Sequence, residues 1–503
     1  MQKFITNPIT IILAIIILAT VLRLVAVFNF GTYMFDDMFS VHFTSKPVPE
    51  MFYFLKDEVH PPIFYLLLNF WVKIFNGNEI TNRILPLIFN IACIPLVYFL
   101  GKKILNKWIG ILASLFFALS YFQIFTSAEI RMYSLMTFLG LASLSLFWLI
   151  VVEKKKGFWL LYTLINILTL LTHLGGLFAL LTQWLWFFIL LCKKQIDSET
   201  ARRFLIAQVS ILAVWSIWLI PFFLPKLIPI ITKGWYFKIR IINRSAAIGL
   251  FDNFFLLLEN SVFRFIVGVI IFSAPFMILL WNDKKLSEKM PAKINPNWFL
   301  LTWALPAYLV SVITRINFTR IYLIAYVGFY LIVAYFLYIL FKNLKKTFWI
   351  IFIILIAISG WNLIKNVPQS FSAWNKTNDW LMANEKPGDK IIIYRYANQL
   401  QFENYYTGRS DYEGVYPIDD KKTLEQRIVE NNWQHIVTEE NINYLEKATD
   451  NYDRIIVIHE TPPPDIYWKS IIHYWLEKNG WSVIEVYQPG SFLGPKVVIY
   501  SQN

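Results

Sequence analysis

Long apolar runs recur along this chain, and no single soluble core has the volume to bury them. Runs of spanning or near-spanning length begin near residues 9, 84, 108, 134, 158, 174, 204, 263, 298, 321 and 348. A hydrocarbon layer about 30 Å thick accepts each as a helix of about 20 residues, because a helix satisfies its backbone hydrogen bonds internally. With 57% hydrophobic and 16% charged residues, the chain reads as a polytopic helical membrane protein. The first run has only Lys3 ahead of it and no small-residue cleavage pattern after it, which makes it a retained helix rather than a signal peptide.

The charged connections alternate. Lys102, Lys103 and Lys107 follow the second run, EKKK (153–156) the fourth, CKKQIDSETARR the sixth, NDKKLSEKMPAK the eighth and FKNLKK the tenth. The positive-inside rule places all five in the cytoplasm. That parity holds only if PPIFYLLLNFWVKIF (61–75) does not cross, and at roughly 22 Å as a helix it is too short to do so. The segment is therefore expected to be juxtamembrane, with Trp71 and Tyr65 at the lipid interface. About eleven transmembrane helices with the N-terminus inside leave the C-terminus outside, in a plasma membrane. The net charge of +13 comes with basic residues set in short clusters between apolar runs, which argues against nucleic acid as a partner. Cys93 and Cys192 make no disulfide framework.

From about residue 370 the composition turns soluble. WNKTNDWLMANEKPGDKIIIY reads as helix, Pro-Gly turn and strand; KKTLEQRIVENN as a helix; RIIVIHE as a strand; YWKSIIHYWLEKNGW as a helix; SVIEVYQPGSFLGPKVVIY as a strand pair. The expected division is a membrane module over 1–369 and an extracytoplasmic α/β domain over 370–503. Neither a Gly-rich phosphate loop nor a Cys/His cluster of metal-ligand spacing is present in the sequence, so no metal or cofactor is expected.

The loops assigned to the outside carry more polar chemistry than connectors need. They hold Asp36 and Asp37; Asp57, Glu58 and His60; Glu129 and Arg131 in SAEIRMYSL; His173 in LTHLGG; Lys226, Lys233, Lys238, Arg240 and Arg244; and Arg315 with Arg320 in TRINFTRIYL. Carboxylates supply proton transfer and arginines supply bidentate phosphate clamps, a pairing that suits a phosphate-bearing substrate delivered in the membrane. Each charge also has an ordinary explanation. Lys226, Lys233 and Arg244 sit where side chains snorkel or are solvated, Arg23 in the first helix is long enough to snorkel, and His173 reads as a hairpin residue rather than a ligand. An acid pair at a helix exit, beside Tyr33, Phe35 and Phe39, has no such explanation, and Asp36 is singled out as functional.

The order of a first helix, an acid pair, HPPIFYLLLNFWVKIFNGNEITNRILPLIFN and then SAEIRMYSL resembles the GT-C fold glycosyltransferases of the protein O-mannosyltransferase and lipid A aminoarabinose transferase superfamily, most strongly over 20–180. The resemblance implies a GT-C membrane module and inverting transfer of a sugar from a polyprenyl-phosphate carrier to an acceptor hydroxyl on a lipid, wall polymer or protein, without a metal. It implies that Asp36 is the catalytic base. Asp37 stands where the family has Glu, and His60 where a Lys stands near the donor phosphate; Glu129 and Arg131 fall where relatives place further active-site polar residues. Positive charge for the phosphate is expected from Arg131, Arg315, Arg320 and the basic stretch with Lys233 and Arg240. A lipid-linked polysaccharide polymerase or ligase, a transporter or flippase, and a sensor with an outside domain are the alternatives.

Overall fold

A computed structural model describes residues 7–56, 58–227, 295–314, 319–367, 372–394, 396–414, 423–429, 442, 444–460, 466–489 and 495–502. Helices α1 (Pro8–Asn29), α2 (Phe35–Ser45), α3 (Val48–Leu55), α4 (Ile63–Phe75), α5 (Glu79–Ile104), α6 (Lys107–Leu119) and α7 (Tyr121–Ala128) come first. They are followed by α8 (Tyr133–Phe147), α9 (Trp159–Leu170), α10 (Leu177–Cys192), α11 (Ser198–Trp218), α12 (Pro296–Thr314), α13 (Leu323–Asn343) and α14 (Lys345–Asn366). The contacts divide the chain into one unit of Met1–Val27, Val59–Leu67 and Arg83–Pro368 and another of Phe28–Glu58, Leu68–Asn82 and Gln369–Asn503.

Among the described residues, seven helices are long and apolar enough to cross a membrane, and eight if α6 and α7 make one bent span. The described residues alone do not supply the expected eleven. The run near 158 forms an apolar helix over Lys156–Leu170, shorter than a span, the run near 298 forms α12 with Pro306 inside it, and the run near 263 lies outside the described residues. Helix α4, at 13 residues, also falls short of a span, as its length in the sequence requires.

In the first unit the break between α6 and α7, bent by 56°, has an identifiable cause. Ser120 leaves helical geometry and accepts from the Gln123 N–H, starting α7 as its N-cap. The carbonyls that α6 frees at its end are taken by Arg23: Nη1 donates to Ala118 O at 3.2 Å and Nη2 to Phe117 O at 3.4 Å, while Nε donates to Asn90 Oδ1 at 2.8 Å. Arg23 is fully buried. The snorkelling expectation is thereby corrected: sequence position put Arg23 near a membrane face, but in the packed bundle its guanidinium ties α1, α5 and α6 together. Side-chain hydrogen bonds join further helices. Tyr162 donates to Gln183 Oε1 at 2.5 Å and accepts from Gln208 Nε2 at 2.8 Å, linking α9 to α10 and α11.

Three of the lysine loops meet at one end of α8, where a π-helical turn, Trp148–Val152, extends it. Lys103 pairs with Glu153 at 2.6 Å, Lys154 with Asp197 at 4.0 Å and Lys156 with Glu199 at 3.1 Å. Three loops that charge parity assigned to one side of the membrane are thus ion-paired to one another. Exposed pairs of this kind add little stability, so their value is in reporting position.

In the second unit, α15 (Trp374–Asn384), α16 (Gln399–Tyr405), α17 (Leu424–Val429), α18 (Tyr444–Thr449) and α19 (Ile466–Lys478) accompany strands β1 (Lys390–Tyr394), β2 (Asp411–Gly414), β3 (Arg454–Glu460), β4 (Trp481–Tyr487) and β5 (Pro495–Gln502). The strands form one sheet in the order β2-β1-β3-β5-β4, with β1 parallel to β2 and β3, and β5 antiparallel to β3 and β4. Alternation along β3 divides the core in two. Ile455 and Val457 face Leu445, Ile472 and Leu476, whereas Ile456 and Ile458 face Trp374, Leu381 and Phe402. The reading from sequence contains β1, β3, β4, β5, α15, α17 and α19; α16, α18 and the four-residue β2 are additions too short to leave a periodic signal.

Candidate functional site

The acid pair belongs to the second unit. Gly31 adopts φ +87°, open to glycine without strain, and bridges Ser372 as the chain leaves α1. Four residues later α2 begins, and Asp36 and Asp37 occupy its first turn, where the helix dipole favours negative charge. Asp37 is fully buried, and its carboxylate accepts from the Met34 N–H at 3.4 Å. It therefore closes the helix start, a structural task that explains an acid in a buried position. Asp36 is half-buried, and the contact seen at its backbone is the Ser40 hydroxyl on its carbonyl at 2.9 Å. The two acids are thus distinguished by burial: one serves the helix, and the other lies closer to solvent.

The cationic residues belong to the first unit, at the end of α8 opposite the lysine loops. Stretches 59–62, 129–132, 173–176 and 319–322 come together there. Ile63 N–H donates to Leu171 O at 3.1 Å, joining the start of α4 to the end of α9. A Cβ on Gly175 would lie 2.6 Å from Ile321 O and 2.7 Å from Met136 Sδ, so glycine permits the third stretch to approach the fourth and α8. Glu129 follows α7 and is fully buried. A carboxylate in that position requires a cation, and Arg320 Nη1 lies 3.1 Å from its Oε1. The Arg320 guanidinium also stands 5.8 Å from the centre of the Phe125 ring and 5.6 Å from that of Tyr133.

Arg131, two residues on, is buried and donates from Nη1 to the Tyr65 hydroxyl at 3.4 Å. Tyr65 is itself fully buried, which corrects its expected place at the lipid interface: the side of α4 that carries it packs inward. His60 stacks on His173, with ring centres 5.4 Å apart and planes 23° from parallel, and the Tyr133 ring meets His173 edge-on at 5.5 Å. His173 Nδ1 accepts from the Gly175 N–H at 2.9 Å, so a neutral ring carries its proton on Nε2. Burial, with His60 and Arg131 beside it, holds His173 well below the usual histidine range and therefore neutral at pH 7. His173 is the hairpin residue the sequence described, since it caps the 3-10 turn Leu174–Gly176. It is also part of the cluster, which nothing in LTHLGG discloses.

The structure thus brings His60, Glu129, Arg131 and Arg320 into one group with Tyr65, Tyr133 and His173. Arg315, Lys233 and Arg240 lie outside the described residues, as does Asp57. Chemically the group offers two guanidiniums, one offset by a carboxylate, and two imidazoles. Such a set suits an anion of phosphate type. Among the described residues, no group of three or more His, Cys, Asp or Glu has the arrangement of a metal site.

A family model described as dolichyl-phosphate-mannose-protein mannosyltransferase matches residues 59–220, the stretch that supplies three of the four converging loops. Among solved structures, the fold is similar to the oligosaccharyltransferase of Archaeoglobus fulgidus in complex with Zn and sulfate, with TM-score 0.54 and 13% identity, covering 96% of this chain and 72% of that one. It is similar to ArnT from Cupriavidus metallidurans in the apo state, with TM-score 0.54 and 14% identity, covering 97% of each chain. It is also similar to the archaeal oligosaccharyltransferase AglB from Archaeoglobus fulgidus in complex with an inhibitory peptide and a dolichol-phosphate, with TM-score 0.53 and 12% identity, covering 95% and 73%. No curated protein matches. At these identities the structural likeness carries the fold, which is that of a polytopic helical membrane protein. Fold and family match agree with the GT-C resemblance of the sequence and point to a membrane glycosyltransferase.

Proposed function

We propose, from a family match and a fold that both resemble glycosyltransferases of the GT-C type, that this protein transfers a sugar from a polyprenyl-phosphate carrier to an acceptor hydroxyl, with inversion, outside the cytoplasm. The observation that carries this reading is the gathering of Arg131, Arg320, His60 and His173 from separate loops at one end of the helices of the first unit. A donor held in the bilayer by its lipid presents its phosphate where helices end, and a cationic, hydrogen-bonding cluster at that level is suited to receive it. Asp36 acts as general base toward the acceptor hydroxyl, a weak nucleophile until its proton is accepted. The phosphate leaves with a second pKa of about 6 and needs positive charge rather than a strong acid. Arg131 supplies that charge, with His60 beside it; Glu129 holds Arg320 in place. The acceptor is a lipid, a wall polymer or a protein.

Two experiments test the reading. Arg131→Lys keeps the charge and loses the planar fork, so transfer from a polyprenyl-phosphate sugar in liposomes should fall about tenfold or more, with weaker donor binding. Wild-type donor binding and turnover in this variant would remove Arg131 as the clamp. For orientation, the exposed Cys192 is first replaced by Ser and single cysteines are introduced. Cysteines at Ser45 and Ser410 should be labelled by an impermeant reagent on intact cells, and one at Lys154 only after permeabilisation. Labelling of Lys154→Cys from outside would invert the topology.

A further inference from the structure

We propose that Tyr405, in the C-terminal α/β part of the chain, is a positioning residue for Asp36. The inference rests on Asp36 as the base and deepens that reading, because it assigns the α/β part a task in the chemistry.

The geometry lies wholly within the second unit. Tyr33 stands three residues before Asp36, and each of its polar groups is held. Its N–H donates to the Tyr405 hydroxyl at 2.9 Å, its carbonyl accepts from Gln401 Nε2 at 3.1 Å, and its own hydroxyl accepts from Asn82 Nδ2 at 2.9 Å. The neighbouring Thr32 hydroxyl meets Ser372 Oγ at 2.8 Å and accepts from the Trp374 N–H at 3.0 Å. The chain entering α2 therefore has little freedom of its own. Tyr405 does the most in this set, because while accepting from Tyr33 it donates to Glu79 Oε1, at 2.7 Å, in the first turn of α5. One phenol fixes the peptide before the acid helix and a carboxylate 46 residues farther along the chain, at 79 against 33.

Tyr405 is itself rigidly mounted. It ends α16, packing beside Phe402 against the sheet face formed by Ile391, Ile393, Ile456 and Ile458. Burial, with the Glu79 carboxylate as a further cause, pushes its phenol above the usual tyrosine range, so it keeps the proton it donates. The far end of α2 is also held to this part of the chain: His42 Nε2 lies 3.3 Å and Lys46 Nζ 3.7 Å from Glu425 Oε1. Those contacts are partly exposed and contribute less. A general base works only within hydrogen-bond reach of its proton, so a loosened helix start lowers the rate while leaving the acid in place.

The test uses the full-length protein. Tyr405→Phe removes both bonds and keeps the ring. Amide exchange over Tyr33–Phe39 should rise at least tenfold, and kcat should fall about tenfold to a hundredfold with the donor KM unchanged. Glu79→Ala should move both readouts in the same direction, whereas Glu79→Gln, which keeps an accepting oxygen, should restore them. Ile472→Val, in the core on the other face of the sheet, serves as the control for lost stability: a comparable drop in Tm should leave kcat and exchange at α2 as in wild type. Unchanged exchange in Tyr405→Phe, full turnover despite a loosened α2, or an equal loss of kcat in Ile472→Val would each overturn the proposal. A wild-type protein inactive toward polyprenyl-phosphate sugars overturns the functional reading instead, and exchange alone then decides whether Tyr405 anchors α2.

Discussion

Asp36→Asn abolishes sugar transfer while the protein still inserts and folds: that is the largest effect expected. The substitution keeps the size of the side chain and much of its hydrogen bonding, and removes its capacity to take a proton. General-base catalysis contributes on the order of 10²- to 10⁴-fold, so turnover should fall by that factor with donor binding preserved. Asp37→Asn serves as the internal contrast. Its carboxylate is committed to the Met34 N–H at the start of α2, so its loss should lower stability by about 1 kcal/mol or less and do far less to turnover. The measurement is transfer from a polyprenyl-phosphate sugar in liposomes, with membrane abundance checked alongside. Near-normal turnover in a folded Asp36→Asn protein would move the base to Asp37 or Glu129.

The second large effect concerns stability. Glu129 is fully buried, and Arg320, about a third exposed, lies 3.1 Å from it. Withdrawing one partner of a buried ion pair costs about 3–5 kcal/mol, much of it from the charge left behind. The exposure of Arg320 puts the expectation at the low end, about 3 kcal/mol, for Arg320→Gln. Glu129→Gln in the same chain neutralises the stranded charge. The double variant should therefore be more stable than Arg320→Gln alone, and apparent melting temperatures in detergent should fall in the order wild type, double variant, Arg320→Gln. A double variant less stable than both singles would mean that the two residues do not act as a pair. Transfer should be impaired in Arg320→Gln and in the double variant, since each removes the Arg320 guanidinium from the cationic cluster.

Some features of the site were legible because they are local. An acid pair after a hydrophobic helix is conspicuous in a chain with 16% charged residues, and so are arginines in loops. Other features were not. Tyr65 lies in an amphipathic stretch, and its sequence neighbourhood gave no sign that its hydroxyl meets Arg131, 66 positions away. LTHLGG reads as a hairpin and is one, yet the ring of His173 is stacked on His60, from a loop more than a hundred residues earlier. Arg23 sits where an arginine ordinarily snorkels, and only packing reveals that it terminates α6 from a different helix.

The same division runs through the fold. Apolar length and the alternation of lysine loops determined by themselves that this is a multi-spanning helical protein with two chemically unlike sets of connections, because the cost of burying polar backbone and charge in hydrocarbon acts on each segment independently. Periodicity likewise determined most strands and helices after residue 370. Which loops meet was decided by tertiary structure alone. The pairing of Glu129 with Arg320, the His60–His173 stack and the hold of Tyr405 on Tyr33, 372 positions away, are contacts between segments whose local sequences are each compatible with many partners. Their energy appears only once the helices have packed, since a buried charge or peptide group selects its partner from what the assembled fold brings within about 3 Å.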